Sequence, residues 1–447
     1  GHSDERAQEE VVFMMLSIGT TLRTETGRPC AVEQLLGSGG QGEVYQVRVD
    51  GQPYALKWYF PAYLPSDPDL RKRLEFATEK GAPNDRFLWP LELVASPDGS
   101  AFGYLMPLRE PRFKGTVDLV KRRVEPSFRA LCTAGFELAD GYLHLHSRGL
   151  CYRDISFGNV FLDPDTGEVR ICDNDNVTVT GTESGGVRGT PRFMAPEIVR
   201  GEAFPSTDTD LFSLAVLLFC MFMLHHPLEG KKEAAIHCFD LPAMERLYGA
   251  EPLFIFDPDD DSNRPVPGYQ DNALIYWAIY PQFLRDLFTR AFTKGIHDPK
   301  NGRVRESEWR QAFVQLRDSI VYCECGAENF YDVEKVKNQQ PHRCWSCNKN
   351  IRLPPRIRIG QATVMLNYDT RLFPHHLGVW YDFSAPVAAV SRHPHDPNVW
   401  GLTNHSQETW TVTRPDGTLA ELPPGRSVTL ASGVKINFGK VEGEIRR

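Results

Sequence analysis

The chain has 447 residues, 41% hydrophobic and 24% charged, with a formal net charge of −8. That length calls for two or three domains, and the composition is that of a globular chain able to bury large cores. The acidic balance argues against a nucleic-acid or anionic-membrane binder, because gripping phosphate backbones takes a basic surface. The longest apolar run, Leu211 to Leu224, is too short to span a bilayer and reads as a buried helix. Gly1-His2-Ser3 reads as a tag remnant with no charged-then-apolar leader behind it. The expected compartment is the cytoplasm.

Residues 4–30 are expected to form an N-terminal extension, with a short helix over Val11–Ser17 and a strand-like lead-in. From Val32 to Trp58 the pattern is strand, Gly-rich turn, strand, hairpin at Asp50-Gly51, strand. A helix near Pro68–Lys80 and further strands through Leu108 complete a β-rich unit over 31–108. From Val117 the chain turns helical, with Phe128–Arg148 apolar at helical spacing and Gly149 as its stop. Gly249–Asn272 is a Pro- and Asp-rich insertion. Its Asp259-Asp260-Asp261 run reads as a solvated loop rather than a cation site. Helices resume at Ala273–Thr293 and Glu306–Leu316. From Ile357 short alternating segments with Pro-Asp-Gly and Pro-Gly turns indicate a compact β domain.

The ten cysteines divide in two. Cys30, Cys132, Cys151, Cys172, Cys220 and Cys238 sit in apolar contexts and read as reduced core residues. Cys323-Glu324-Cys325 and Cys344-Trp345-Ser346-Cys347 form two close pairs, which suits tetrahedral thiolate coordination of Zn²⁺ in a ribbon over 319–354. Four protein ligands leave no open position, so the expected site is structural, with His342 a redundant fifth candidate.

Two segments carry the chemistry. Gly37-Ser38-Gly39-Gly40-Gln41-Gly42-Glu43-Val44 lies between strands, where glycines let backbone amides approach phosphate oxygens. Tyr54-Ala55-Leu56-Lys57 follows in the next strand, which is not the strand–loop–helix order of a dinucleotide fold. Tyr152-Arg153-Asp154-Ile155-Ser156-Phe157-Gly158-Asn159 then places a carboxylate and an amide ahead of an apolar strand.

These segments resemble the Gly-rich loop, strand lysine and catalytic loop of the protein kinases. The resemblance extends through Asp173, through Gly189-Thr190-Pro191-Arg192-Phe193-Met194-Ala195-Pro196-Glu197, and through Asp210. It implies an α+β bilobal kinase fold over 31–318, with a small lobe over 31–108 and a large lobe over 109–318. It implies ATP and Mg²⁺ (or Mn²⁺) as cofactors. Asp154 is the catalytic base, Asn159 and Asp173 bind the metal, and Lys57 pairs with the phosphates. Gly37, Gly39, Gly42 and Val44 cover the nucleotide. Ala55, Met106 and Phe161 line the adenine pocket, with Pro107 and Arg109 as its hinge. Glu75 is the expected carboxylate for Lys57, with Glu79 as runner-up. Asp210 is expected to hold the catalytic-loop backbone, and Arg303 to pair with Glu197.

Tyr152 stands where the family carries His, Asn174-Asp175 where it carries Phe-Gly, and Ser156 where Ser/Thr kinases carry Lys. Thr190 before Pro191 favours Ser/Thr substrates. Arg153 beside Asp154 marks control by a phosphate on the following segment, for which Thr182 and Ser184 are the expected autophosphorylation sites among Thr178, Thr180, Thr182, Ser184 and Thr190. Arg188 and Arg192 are its candidate holders.

Residues 357–447 resemble a forkhead-associated domain, an all-β sandwich that can bind phosphothreonine, through Ser391-Arg392-His393, Leu402-Thr403-Asn404 and Ile436-Asn437-Phe438-Gly439. Arg392 and Arg371 are the phosphate candidates, and a docking module is the plainer reading. The whole order of kinase, zinc ribbon and forkhead-like domain resembles bacterial kinases of tellurite-resistance modules. That implies a von Willebrand-type domain protein and a metal-dependent phosphatase as partners, and no membrane or nucleic acid. Besides an active Ser/Thr kinase, two readings stay open: an ATP-binding pseudokinase scaffold, and a small-molecule phosphotransferase.

Overall fold

A computed structural model describes residues 14–183 and 189–447. The small lobe is a closed antiparallel barrel of β1 (Thr21–Thr24), β2 (Pro29–Ser38), β3 (Gly42–Val49), β4 (Gln52–Tyr59), β5 (Glu92–Ala95) and β6 (Phe102–Pro107), in the order β1-β2-β3-β4-β6-β5. Alternation explains the barrel core: Tyr45, Val47 and Val49 of β3 point inward with Val32, Leu56 and Leu105. Asp50 and Gly51 both take positive φ (49° and 74°), which lets the β3–β4 hairpin turn in two residues. Closure depends on β1, which pairs with both β2 and β5. The small lobe therefore begins ahead of residue 31.

Helix α1 (Leu70–Lys80) lies against the barrel and buries Leu70, Arg73, Leu74 and Ala77. After the short helix α2 (Thr116–Val120), helix α3 (Phe128–Ser147) runs through the large lobe. Its first turn is capped from two sides: Ser127 Oγ accepts from the Ala130 amide at 3.1 Å, and Glu328 accepts from the Phe128 amide at 2.8 Å. The central helix Thr207–Met223 is apolar all round and buried almost throughout, as the Leu211–Leu224 run implies. Helix Glu306–Asp318 packs across α3, and Gly135 makes the contact possible: a Cβ there would lie 2.8 Å from the Phe313 ring.

Beyond the large lobe, strands Ile320–Tyr322 and Glu328–Phe330 pair and lead into the cysteine cluster. Phe330 and Trp345 pack edge-to-face against Phe128 of α3. The C-terminal region is a pair of antiparallel sheets, one of six strands and one of four, closed over Ile357, Leu372, Leu402, Trp410 and Ile436. It docks on α3 and the last large-lobe helix. Asp369 accepts from Arg129 and Tyr322, His376 pairs with Asp318 at 2.9 Å, and the Arg317 guanidinium lies 4.3 Å from the Phe383 ring centroid.

Four expectations change. Of the helix expected at Val11–Ser17, residues 11–13 fall outside the described residues together with the Gly1-His2-Ser3 remnant, and residues 14–17 are irregular. The helix expected at Ala273–Thr293 is two helices, Asp271–Ile279 and Gln282–Phe292, because Pro281 lacks the N–H that would carry the first helix on. Cys238 is exposed rather than in the core, and Cys172 is partly exposed. The Asp259-Asp260-Asp261 run lies on an exposed loop, as its composition implies. Among the described residues no helix is long and apolar enough to cross a membrane.

Candidate active site

The cleft between the lobes is built from five short segments. The Gly-rich loop forms its roof, joining β2 to β3 with the Gly39 amide donating to the Gly42 carbonyl at 2.9 Å. Added Cβ atoms at Gly37, Gly39 or Gly40 would meet no protein atom, so the backbone face is open to a ligand. Gly42 differs: its Cβ would lie 2.1 Å from the Trp58 carbonyl oxygen, so close strand pairing alone demands glycine there. Ala55 and Met106 are cross-strand partners and both are buried. Pro107 pairs with Tyr54 at the end of β6, and the Arg109 guanidinium stacks 3.7 Å from the Phe161 ring centroid, over the floor of the cleft.

Lys57 projects from β4 into the cleft. Its Nζ donates to Asp175 Oδ2 at 2.8 Å, Gln41 Oε1 at 3.0 Å and Asp173 Oδ1 at 3.3 Å. Burial works to lower its pKa, but the Asp175 and Asp173 carboxylates outweigh that and hold it above the ordinary lysine value. The expected partner is not there. Glu75 faces outward, half exposed, in an i,i+4 pair with Arg71, and Glu79 is exposed as well. Helical periodicity is the reason: the inward face of α1 is Leu70, Arg73, Leu74 and Ala77, which leaves both glutamates on the solvent side.

The catalytic loop is held from below. Asp210, at the start of the central helix, accepts from the backbone amides of Tyr152 at 2.6 Å and Arg153 at 3.0 Å. Tyr152 is buried and its hydroxyl donates to the Cys172 carbonyl, which ties the loop to the segment that leads from strand Val169–Ile171 to Asp173. The Cys172 amide donates to the Asn159 carbonyl at 2.8 Å. Asp154 accepts from Thr190 Oγ1 at 3.0 Å on one oxygen and from Asn159 Nδ2 at 3.2 Å on the other. Burial outweighs these hydrogen bonds and pushes its carboxyl above the usual range. Asn159 spends its amide hydrogens on Asp154 and Ser156, so its carbonyl oxygen is the end left as an acceptor. Asp173 has left-handed backbone (φ 50°) and a side chain 40% exposed to the cleft. An outward carboxylate beside an amide oxygen is a donor set suited to a hard divalent cation such as Mg²⁺.

Below the site, Arg303 forks onto Glu197 at 2.6 and 2.8 Å, both residues buried. Arg153 is buried with φ 78°. Thr182 is exposed and donates to the Val179 carbonyl, while Ser184 and Arg188 lie outside the described residues. Arg192, expected as a phosphate holder, is committed to Glu229 at 3.0 Å on both nitrogens. At the cysteine cluster the four ligand sulfurs lie within 4.8 Å of one another. Burial opposes ionisation of Cys344, but N–H donors from Cys347, Asn329 and Ser346 win and bring its thiol down to about 6. At Cys323 the Cys325 amide works to lower the thiol, but burial and the neighbouring sulfurs outweigh it and push Cys323 up to about 12. His342 points elsewhere, accepting from the Asp332 amide at 2.9 Å. In the β region, Arg392 donates to the Pro397 carbonyl, and Arg371 lines a cavity of about 350 Å³ with Arg129 and Arg317.

The residues that sequence reasoning missed are Asp175, Gln41, Tyr59 and Arg73. Only the first left a signal: it follows Asp173 where the family carries glycine, while α1 offers no inward acid.

Residues 117–268 match the family model of the protein kinase domain. Over 209 residues the chain is 30% identical to the DNA damage-responsive serine/threonine-protein kinase RqkA of Deinococcus radiodurans, covering 45% of this chain and 31% of that protein. It is 32% identical over 116 residues to the serine/threonine-protein kinase PknK of Mycobacterium bovis, covering 25% of this chain and 10% of that protein. The chain thus spans under a third of the length of either relative. The motif geometry, the family match and these relatives agree that the chain carries a eukaryotic-like protein kinase domain.

Proposed function

We propose that this chain is an ATP-dependent serine/threonine protein kinase. The observation that carries the reading is the convergence of four side chains: Lys57 bonds to Asp173, Asn159 bonds to Asp154, and the Cys172 amide on the Asn159 carbonyl joins the two pairs. Bound Mg²⁺·ATP supplies the transferable phosphoryl group and the cation that neutralises its charge. The chain's own residues do the placing. Lys57 offers its ammonium to the phosphates. Asn159 and Asp173 present oxygens to the cation. Asp154, its basicity raised by burial, accepts the substrate hydroxyl's proton. Thr190, bonded to Asp154, sits where the incoming hydroxyl residue arrives, and the named relatives are Ser/Thr kinases.

The exposed Thr182 and Ser184, which lies outside the described residues, are the autophosphorylation sites in this proposal, with Arg153 as the responding cation. The cysteines at 323, 325, 344 and 347 hold a structural Zn²⁺, which suits a reducing, cytoplasmic setting. The C-terminal β region is a forkhead-associated-like docking module. The domain order supports a von Willebrand-type domain protein as substrate and a metal-dependent phosphatase as its counterpart. Incubation with labelled ATP and Mg²⁺ tests the core claim: wild type labels protein on Ser or Thr, and Asp154→Asn does not. Nucleotide binding without transfer to any protein would instead make the chain a scaffold.

A further inference from the structure

We propose that Asp175 is the carboxylate that positions Lys57, so that the lysine is anchored to the segment carrying Asp173 and not to helix α1. The inference rests on the kinase reading of this cleft. A buried ammonium needs a buried counter-charge, and α1 has none to give: its glutamates face solvent and its inward polar residue is Arg73. Asp173 is a poor permanent anchor, being 40% exposed, more distant from Lys57, and the residue that faces the cation. Asp175 is 2% exposed. One of its oxygens accepts from both Lys57 and Tyr59, at 2.8 and 2.6 Å, while the other makes no hydrogen bond.

The segment around Asp175 is fixed independently of the lysine. The Asn174 amide donates to the carbonyls of Leu88 at 3.0 Å and Ile171 at 3.1 Å, which locks the turn that carries Asp175. Arg73, held by Asp67, donates Nε to the Asp175 carbonyl at 3.0 Å. Helix α1 thus contributes a cation that supports the anchor, the reverse of a carboxylate that is one. Two departures from the family pattern become one device: the acid missing from α1 is supplied at Asp175. A shift of α1 would reach the Lys57–Asp175 pair through the Arg73 contact, without removing its carboxylate. Control of this site then works through the segment after Asp173.

Kinetics and apo-protein stability test the assignment together. Asp175→Asn is expected to lower kcat about tenfold or more while the KM for ATP stays within about threefold, the pattern of a group that orients a catalytic contact. Glu75→Gln discriminates: the kcat loss appearing there instead overturns the proposal, as does a loss at Asp175 confined to KM. In nucleotide-free protein, Lys57→Met and Asp175→Asn should each lower the thermal midpoint, and the double variant should be no less stable than the worse single. Additive midpoints refute the pairing. If Asp175→Asn alone fails to fold, the double variant is expected to recover, since the uncompensated ammonium has gone; a double that also fails to fold refutes the pairing. The stability cycle decides the question even if the wild type transfers no phosphate.

Discussion

Truncating Arg303 to alanine probes how the large lobe holds its catalytic loop. Arg303 is 5% exposed and Glu197 8%. The guanidinium makes two bonds to Glu197, one from Nε to the Gly295 carbonyl at 2.9 Å and one to the Asp208 carbonyl at 2.8 Å. It also lies 5.3 Å from the Phe212 ring centroid. Removing one partner of a buried pair leaves an uncompensated charge and costs about 3–5 kcal/mol. The two carbonyls left unmet add to that, so the upper part of this range, about 4–5 kcal/mol, is expected. Lysine keeps the charge but cannot reproduce the fork, and should cost about half as much. Urea unfolding followed by tryptophan fluorescence is the assay, since Trp309 is buried against Phe313 in the neighbouring helix. A cycle with Glu197→Gln should show a coupling of about 2 kcal/mol or more. Because Asp208 and Asp210 share the first turn of the central helix, the loss should reach the loop that carries Asp154 and lower kcat. An Arg303→Ala variant within about 1 kcal/mol of wild type, or strict additivity with Glu197→Gln, would refute the reasoning.

His146 bridges Asp210, at 2.8 Å, and Glu306; burial works to lower its pKa, but the two carboxylates raise it to about 9. A raised histidine stabilises the fold fully below its unfolded value near 6.5 and loses that contribution as pH climbs through 9, so about 3 kcal/mol should disappear between pH 6.5 and 9.5 and be absent in His146→Gln, measured by urea midpoints across pH. Gly135→Ala should cost about 1–3 kcal/mol in the same assay, because the new methyl meets the Phe313 ring at 2.8 Å. Stripping the proposed Zn²⁺ from the cysteine cluster with a strong chelator should lower the thermal midpoint of the kinase unit as well as of the cluster. Glu328 caps α3 and Asp332 accepts from the Gln282 amide at 3.1 Å, so both leave the large lobe when the cysteine-bearing segment loosens.

Much of this architecture is legible in the chain because local rules and the fold agree. Asp50-Gly51 forces a tight hairpin wherever it falls between strands, and the run Leu211–Leu224 is too apolar to lie anywhere but the centre. Arg303 and Glu197 meet because motifs at a fixed order specify both ends of the contact. The cysteine pairs draw together because their spacing closes two turns. Boundaries read less well: the strand-like lead-in is legible, but β1 has a single apolar side chain, Leu22, and its place in the barrel shows only through the two strands it joins. The exposure of Cys238 likewise depends on neighbours that are remote in sequence, whereas the Pro281 break is a local signal that the periodicity across 273–293 obscured.

The partner of Lys57 failed to read for a different reason, and the failure is informative. Choosing Glu75 used family position and ignored the face of the helix. Counting from buried Leu70 and Leu74, the inward positions are 73 and 77, and these hold Arg and Ala. With an arginine there, a lysine on the facing strand could not remain buried unless a carboxylate arrived from a third segment. The Asn174-Asp175 departure supplies one, and Tyr59, two residues past Lys57 on the same side of β4, supplies the donor that steadies it. Charge balance around one buried ammonium therefore links three substitutions that look unrelated along the chain, at positions 73, 174 and 175.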